Sequence, residues 1–375
     1  MLLDAAQPRS AAVWRGRVVE FLVVGGATLL LFPVAWLCRH WVGLDSAELA
    51  FGFVTFHLAT VINDPHFAVT YLLFYKDAKR RAFGHELSAM QRLRYLAAGA
   101  LVPLVLAGWA MVAIATRSAV VMGWMIQLMF FLVGWHYVKQ GFGVLTVLSA
   151  RRGVRFDRLE RIVVLTHCFA GWAYAWASPF DPGKKVEEKG VVYTTLAHPS
   201  GLERATQVAF LLSAVALACV LVRKWRRERR LPPLAPLCGL LVTVWVWTVY
   251  SGIDPLMRYV IPALHSVQYL YFVWLLKRNE ARASEGPPTF GRPAAVRVGF
   301  LAVTAVALGW VLLRGGPEFL DAVLVAPSDR RLATTNDFGP TPYFAALFVF
   351  VNIHHYFMDA VIWRRDNPET RHLIG

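Results

Sequence analysis

Long apolar runs recur along the whole chain and set the first expectation about its structure. Each is about 20 residues long or longer and apolar on most of its faces, and about 20 residues of helix cross roughly 30 Å of hydrocarbon. Ten spans are predicted, at residues 19–38, 47–75, 95–115, 119–149, 162–180, 206–222, 234–252, 256–276, 297–314 and 341–363. The predicted fold class is all-α, a polytopic transmembrane helical bundle of about ten spans that forms a single membrane domain over residues 1–375.

Proline and loop segments interrupt this pattern. The second run contains Asn63-Asp64-Pro65 and is expected to kink or break there, and the eighth contains Pro262 and is expected to kink. Segments 181–205 and 315–340 hold proline, glycine and charge and are predicted to be small loops outside the membrane. The first run has no convincing small-residue cleavage site, which favours a retained span over a signal peptide.

Lysine and arginine residues are distributed unevenly between the runs. With a cytoplasmic N-terminus, 28 of the 39 lie in the cytoplasmic segments. Because cytoplasmic loops of membrane proteins carry an excess of these residues, both termini are predicted to be cytoplasmic, in a bacterial inner membrane. The same distribution accounts for the net charge of +15 without a nucleic-acid partner. The run Arg223-Lys224-Trp225-Arg226-Arg227 is predicted to face anionic lipid.

Composition agrees with a membrane protein and narrows its chemistry. The chain is 57% hydrophobic and 17% charged, whereas a typical soluble domain is about 25% charged. The four cysteines lie singly in apolar runs and form no Cys-x-x-Cys pair. Neither a disulfide framework nor a thiolate metal site is therefore predicted.

Seven of the eleven histidines fall inside predicted spans, where each costs free energy unless it has a partner. They are His57, His66, His136, His167, His265, His354 and His355. We measured the depth of each from the nearest cytoplasmic basic residue at about 1.5 Å per residue. Five of them share a layer roughly 13–23 Å above the cytoplasmic edge and come from four different spans. The five are His66, His136, His265, His354 and His355.

Polar side chains accompany these histidines at helical spacing. Gln140, Tyr269 and Asp359 each follow a histidine by four residues and so share its helix face. Asp64 follows His57 by seven residues, which also places them on one face if the helix continues. The predicted metal ligands are His57, His66, His136, His265, His354, His355 and Asp359. The predicted catalytic residues are Asp64, Gln140 and Tyr269.

Non-haem iron, as one or two ions, is the cofactor that this set favours. Imidazole and carboxylate ligands suit iron, copper, zinc or manganese. Haem would use only one or two histidines and would leave the others unexplained. Copper, zinc and haem remain as alternatives.

The segment His265-Ser266-Val267-Gln268-Tyr269-Leu270 resembles the late histidine helix of the Brp/Blh-type carotene-cleaving membrane oxygenases. The resemblance implies iron held by histidines from several helices and oxygen-dependent chemistry on an isoprenoid. It covers one helix, and only His265 matches as a ligand, since that family has a second histidine where this chain has Tyr269. The chain also resembles a bacterial family of polytopic membrane proteins in a combination of three motifs: Asn63-Asp64-Pro65-His66, His136-Tyr137 with Gln140, and His354-His355-Tyr356-Phe357 with Asp359.

The predicted function is a membrane-embedded, metal-dependent oxidoreductase or oxygenase that acts on a lipid-soluble substrate. Its expected partners are the lipid bilayer, a lipophilic small molecule and an electron donor, with no nucleic acid. A proton- or ion-coupled transporter is the first alternative, because a broken helix and midplane histidines also fit ion coupling. A haem-bearing electron-transfer protein is the second.

Overall fold

The computed structural model describes residues 7–230, 232–327 and 338–373, and these are almost entirely helical. The first helices are α1 Gln7–Phe21, α2 Ala27–Val42, α3 Leu44–Ala59, α4 Asn63–Tyr75, α5 Ala78–Phe83, α6 Ala89–Leu96, α7 Val102–Ala115 and α8 Ala119–Arg151. The later ones are α9 Arg158–Ala177, α10 Ser200–Glu228, α11 Leu234–Leu241, α12 Met257–Ala283, α13 Ala294–Trp310, α14 Gly316–Leu324 and α15 Pro342–Ile362. A two-stranded antiparallel hairpin, β1 Lys185–Glu188 and β2 Val191–Thr194, is the exception. The predicted all-α class is confirmed.

Among the described residues, four π-helical segments extend or join these helices: Leu22–Gly26, Ala97–Leu101, Val242–Val249 and Val311–Gly315. Such a segment carries an extra residue per turn and disturbs the regular hydrogen-bond ladder. In the first one, Gly25 has a φ of 145°, which side-chain-bearing residues rarely adopt. A Cβ on Gly25 would lie 3.3 Å from the Cα of Gly239 in α11, so the two backbones are in close contact.

Seven helical segments of the described chain are long and apolar enough to cross a membrane. They are Val13–Val42, Ala89–Ala115, Ala119–Arg151, Ser200–Glu228, Met257–Ala283, Ala294–Leu324 and Pro342–Ile362. Each overlaps one of the ten predicted spans, as expected for an integral membrane protein. The other three predictions differ in detail. The predicted span 47–75 is divided between α3 and α4. The predicted span 162–180 corresponds to α9, which is less apolar than the seven segments. The predicted span 234–252 corresponds to a shorter apolar helix, Leu234–Val249.

The two prolines predicted to interrupt helices behave differently. Helix α3 ends at Ala59 and α4 begins at Asn63, so Pro65 lies in a first turn, where its missing N–H is not needed. The predicted break there is confirmed. Helix α12 instead runs from Met257 to Ala283 with Pro262 inside it, so the proline predicted to kink this helix does not end it.

Helix α15 lies at the centre of the bundle. Its most apolar stretch is 72% buried, whereas the corresponding stretches of α10 and of Ala294–Leu324 are each only 17% buried. Large apolar side chains such as Leu212 and Phe300 are exposed on the outer helices, as expected for faces that meet lipid. Helix α15 packs against α4, α7 and α8, and α12 packs against α4. The histidine-bearing helices α4, α8, α12 and α15 therefore form the interior.

The two predicted outside loops contain some regular structure. Segment 181–205 holds the β-hairpin, whose buried Tyr193 packs against Gly123 at the start of α8. Segment 315–340 begins with α14, and its residues 328–337 lie outside the described chain.

The basic run at the end of α10 does not face lipid throughout. Lys224 is fully buried and forms ion pairs with Glu160 at 3.0 Å and with Glu228 at 2.9 Å. Its ammonium group also donates to the backbone carbonyl of Arg155. The prediction that this run faces anionic lipid is therefore wrong for Lys224, because a charge this deeply buried must be paired within the protein.

Candidate metal centre

Three histidines and one aspartate from three helices meet in the interior of the bundle. One potential ligand atom each from His66 in α4, His136 in α8, and His355 and Asp359 in α15 lie within 4.8 Å of one another. All four side chains are at least 95% buried. Burial of each of these side chains in an apolar interior costs free energy unless it has a polar or ionic partner.

Local sequence explains how these side chains reach one point. His355 and Asp359 are four residues apart on α15, so they share a helix face. His66 follows Pro65 in the first turns of α4, and the break before α4 sets the direction of this short helix independently of α3. His136 lies in the middle of α8, which is 33 residues long.

A fourth imidazole completes the cluster. The Nε2 atom of His136 lies 3.1 Å from Nε2 of His265 and 3.3 Å from Nε2 of His355. Neighbouring ligand atoms lie roughly 3.0–3.4 Å apart around an ion with bonds of about 2.0–2.1 Å. A single proton on His136 Nε2 can satisfy one imidazole neighbour but not two at once. These two distances are compatible with imidazoles that share one metal ion.

The two carboxylate oxygens of Asp359 have different surroundings. Its Oδ1 accepts hydrogen bonds from the Tyr269 hydroxyl at 2.7 Å and from the Trp363 indole at 3.2 Å. Its Oδ2 has no hydrogen-bond donor among the described residues and lies 3.4 Å from Nε2 of His355. One oxygen is thus fixed from outside the cluster, while the other is directed into it, as is common for metal-ligating carboxylates.

The ring of His66 is oriented by a serine. The Ser266 hydroxyl is within donating distance of the Pro262 carbonyl at 2.8 Å and the Asn63 side-chain oxygen at 2.9 Å. Since that hydroxyl has one hydrogen and two acceptors for it, Nδ1 of His66, 3.1 Å away, acts as the donor to the serine oxygen. Nε2 of His66 then carries the lone pair, and it has no partner among the described residues. This is the tautomer that a metal ligand requires.

Two of the predicted ligands do not join the cluster. His354 points away from the cluster, and its Nδ1 lies 3.0 Å from the Tyr71 hydroxyl while its Nε2 donates to the carbonyl of Ala98. His57 is exposed on α3 and contacts the rings of Phe53 and Phe56. The prediction that His57 and His354 are metal ligands is therefore corrected, because neither side chain is part of the cluster.

Asp64, predicted to be catalytic, is engaged in an ion pair. Its Oδ2 accepts a hydrogen bond of 2.9 Å from Nε of Arg314, which also donates to the carbonyl of Phe56 at 2.7 Å. Arg314 lies in the π-helical segment Val311–Gly315. The pair therefore closes the gap between α3 and α4, and Asp64 is not among the clustered ligands.

The other two predicted catalytic residues lie beside the cluster. Tyr269 holds Asp359 and receives a hydrogen bond from Thr70 at 2.6 Å. Gln140 donates to the Gln268 side chain at 2.7 Å and to the carbonyl of His265 at 3.2 Å, so it supports α12 next to a cluster histidine.

Ser266, Thr70 and Trp363 support the cluster but were not predicted from the sequence. Trp363 follows Asp359 by four residues, a spacing that could have indicated it. Ser266 directly follows His265 but orients His66 on another helix, so its role depends on tertiary packing. The same holds for Thr70, which reaches Tyr269 across an interface between helices.

A cavity of about 1110 Å³ opens beside the cluster. Its inner end is lined by His136, Tyr269, Tyr356 and Asp359, and its walls are formed largely by α8, α9 and α15. A small molecule in this cavity would therefore reach the cluster directly.

Comparison of the chain with protein-family models, with curated proteins and with solved structures gave no match. The fold and the site define an almost all-helical membrane protein with a buried cluster of histidine and aspartate side chains.

Proposed function

We propose that this chain is a membrane-embedded oxidoreductase whose histidine and aspartate cluster holds non-haem iron and acts on a lipid-soluble substrate. The observation that carries the proposal is the meeting of His66, His136, His355 and Asp359 at ligand spacing, with His265 in contact with His136. Unpaired atoms of His66 and Asp359 in the apolar interior support it, because buried polar atoms rarely lack a partner.

The ligand types favour iron over the alternatives. Histidine with one carboxylate and no thiolate is the donor set of many non-haem iron sites, whereas soft thiolates would favour structural zinc. The rings of His66, His136, His265 and His355 have centroids only 4.4–6.2 Å apart, so a haem macrocycle bound by any two of them would overlap the other rings. His66, His136, His355 and Asp359 would hold one ion, and His265 would complete its shell or help to hold a second ion.

Dioxygen is the oxidant class that such iron activates. In the simplest balanced reaction a substrate C–H bond breaks and a C–O bond forms. The second oxygen atom leaves as water, and a donor supplies two electrons with two protons. Around this chemistry Tyr269 and Ser266 hold the ligands in orientation, and buried Phe67 and Phe272 help to keep bulk water away.

The finer topology belongs to the same proposal. Ten spans with both termini cytoplasmic, in a bacterial inner membrane, would place the cluster between the membrane centre and the cytoplasmic side. Isoprenoid cleavage of the Brp/Blh type remains one possible reaction of this class.

Metal content of the purified protein tests the proposal. We expect iron at one or two equivalents and no Soret band in the wild-type protein. His355→Ala should lower bound iron at least about tenfold, because it removes a ligand. His354→Ala is the matched control, since the neighbouring ring faces Tyr71 and Ala98 instead of the cluster, and it should keep the wild-type content.

Other outcomes would reject the proposal in distinguishable ways. A Soret band would indicate a haem-bearing electron-transfer protein. Absence of stoichiometric metal in the wild-type protein would favour the alternative function, a proton- or ion-coupled transporter. Unchanged iron in His355→Ala, with a folded protein, would remove α15 from the site.

A further inference from the structure

The cavity beside the cluster is long and follows one face of α8. His136, Gln140, Gly143, Val147 and Ala150 all line it, at helical spacings of three and four residues. From the first to the last of these positions the helix rises roughly 21 Å. This is somewhat more than half of a hydrocarbon core that is roughly 30 Å thick. The cavity therefore has room for an extended lipid chain, whose far end would lie at the cluster.

The wall between the two ends is mainly apolar. Phe142, Leu165, Phe272 and Trp363 line this part of the cavity. Lys139 also lines the cavity, and its ammonium lies 4.9 Å from the centre of the Trp135 ring. A hydrocarbon chain in this passage would lose contact with water and gain contact with aromatic side chains, which is favourable.

The outer end of the cavity is strongly basic. Arg155, Arg161, Arg364 and Arg365 line it, with Asp366 as the carboxylate among the lining residues at that end. Asp366 is paired with Arg364 at 3.0 Å. Arg155, Arg161 and Arg365 have no ion-pair partner among the described carboxylates, and the Arg161 guanidinium lies over the ring of Phe142. Unneutralised guanidinium groups around an opening recognise carboxylates and phosphates.

We propose that the substrate is an amphipathic anion with a single apolar chain, bound with its carboxylate or phosphate head among Arg155, Arg161 and Arg365. The chain extends along α8 towards His136 and Asp359. This inference rests on the proposed function and specifies its substrate class. It also specifies where the reaction falls, on a chain carbon distant from the anionic head, because the cluster lies at the opposite end of the cavity.

Binding of photoreactive lipids tests this arrangement separately from metal chemistry. The probes are palmitate, hexadecyl phosphate and hexadecanol, each with a diazirine near the end of its chain. We expect the two anions to label cavity residues near His136, with half-saturation at least about tenfold lower than for the alcohol. Competition by unlabelled palmitate or hexadecyl phosphate then shows which head group is preferred.

Charge reversal at the opening provides the matched variants. The double variant Arg155→Glu with Arg365→Glu should weaken labelling by both anions about tenfold and leave that by the alcohol unchanged. Arg158→Glu is the control, because Arg158 is exposed and lies between Arg155 and Arg161 in sequence but does not line the cavity. Iron content should be unchanged in all three proteins.

The outcomes separate this inference from the proposed function. Equal labelling by anions and alcohol, or anion labelling insensitive to the double variant, would overturn the inference even if iron is bound. Charge-dependent labelling at the inner end in a protein without metal would uphold the substrate class and reject the iron centre. Labelling confined to the arginines would show that the chain does not reach the cluster.

Discussion

Tyr269 on α12 holds Asp359 on α15 through a 2.7 Å hydrogen bond from its hydroxyl to Oδ1. This contact links two of the helices that carry cluster residues, and it leaves Oδ2 beside His355. Since Thr70 on α4 in turn donates to the same hydroxyl, three helices meet at one phenol. The phenol is therefore placed to fix the carboxylate for metal ligation without being a ligand itself.

Tyr269→Phe should lower iron affinity by roughly tenfold to a hundredfold while the helices remain folded. Loss of an orienting hydrogen bond to a ligand carboxylate has effects of this size. Iron affinity is measured by competition with a calibrated chelator on detergent-purified protein, and helicity by circular dichroism.

Tyr71→Phe is the appropriate control, because the Tyr71 hydroxyl contacts His354, which lies outside the cluster. It should leave iron affinity at the wild-type value. If Tyr269→Phe also retained that value, Asp359 would not depend on the phenol for its orientation, and the assigned role of Tyr269 would be wrong.

The depth of the cluster along the helix axes could be predicted from the sequence, because depth depends only on the rise per residue of a helix. Counting residues from the basic edge placed five histidines in one layer, and four of them meet in the structure. Such a count gives the height of each histidine along its helix but not the direction in which its side chain points. His354 and His355 have almost the same height, yet the turn of about 100° between them sends one to Tyr71 and the other to the cluster.

The failure of the His57 prediction has a different cause. A spacing of seven residues puts His57 and Asp64 on one face only of a continuous helix, but α3 ends at Ala59 and α4 begins at Asn63. The break changes the relation between the two faces. Pro65 indicated that break, but a proline does not specify the angle at which the chain resumes. The partner of Asp64, Arg314, is 250 residues away and was not accessible to local spacing rules.

Arg314→Leu should destabilise the protein strongly without abolishing iron binding by the fraction that remains folded. The Asp64 side chain is 5% exposed and that of Arg314 17%, so removal of the arginine leaves a carboxylate buried without its partner. Such losses cost roughly 3–5 kcal/mol. Thermal unfolding in detergent measures the change.

The double variant Arg314→Leu with Asp64→Asn should recover part of the stability, because the uncompensated charge is then absent. Iron per folded molecule should stay constant in both proteins. Loss of iron from Asp64→Asn at unchanged stability would instead restore Asp64 to the site.

Gly309 on α13 tests how tightly α4 is held in place. A Cβ at this position would come within 2.6 Å of the carbonyl carbon and oxygen of Asp64, so the two helices are in backbone contact. Gly309→Ala must push α13 away from the start of α4, and overpacking of this kind costs about 1–3 kcal/mol. Since His66 lies two residues after Asp64, we also expect weaker iron binding in this variant.

Gly299→Ala on the same helix is the control that separates the effect of packing at Gly309 from the effect of alanine on helix stability. Nothing lies within 4 Å of the Cβ that it would add, so this variant should gain up to about 1 kcal/mol, the helix advantage of alanine over glycine. The two substitutions add the same methyl group to α13, and unfolding temperatures compare them directly. Equal shifts for both would mean that α13 does not press on Asp64, and that the direction of His66 is set by α12 through Ser266 alone.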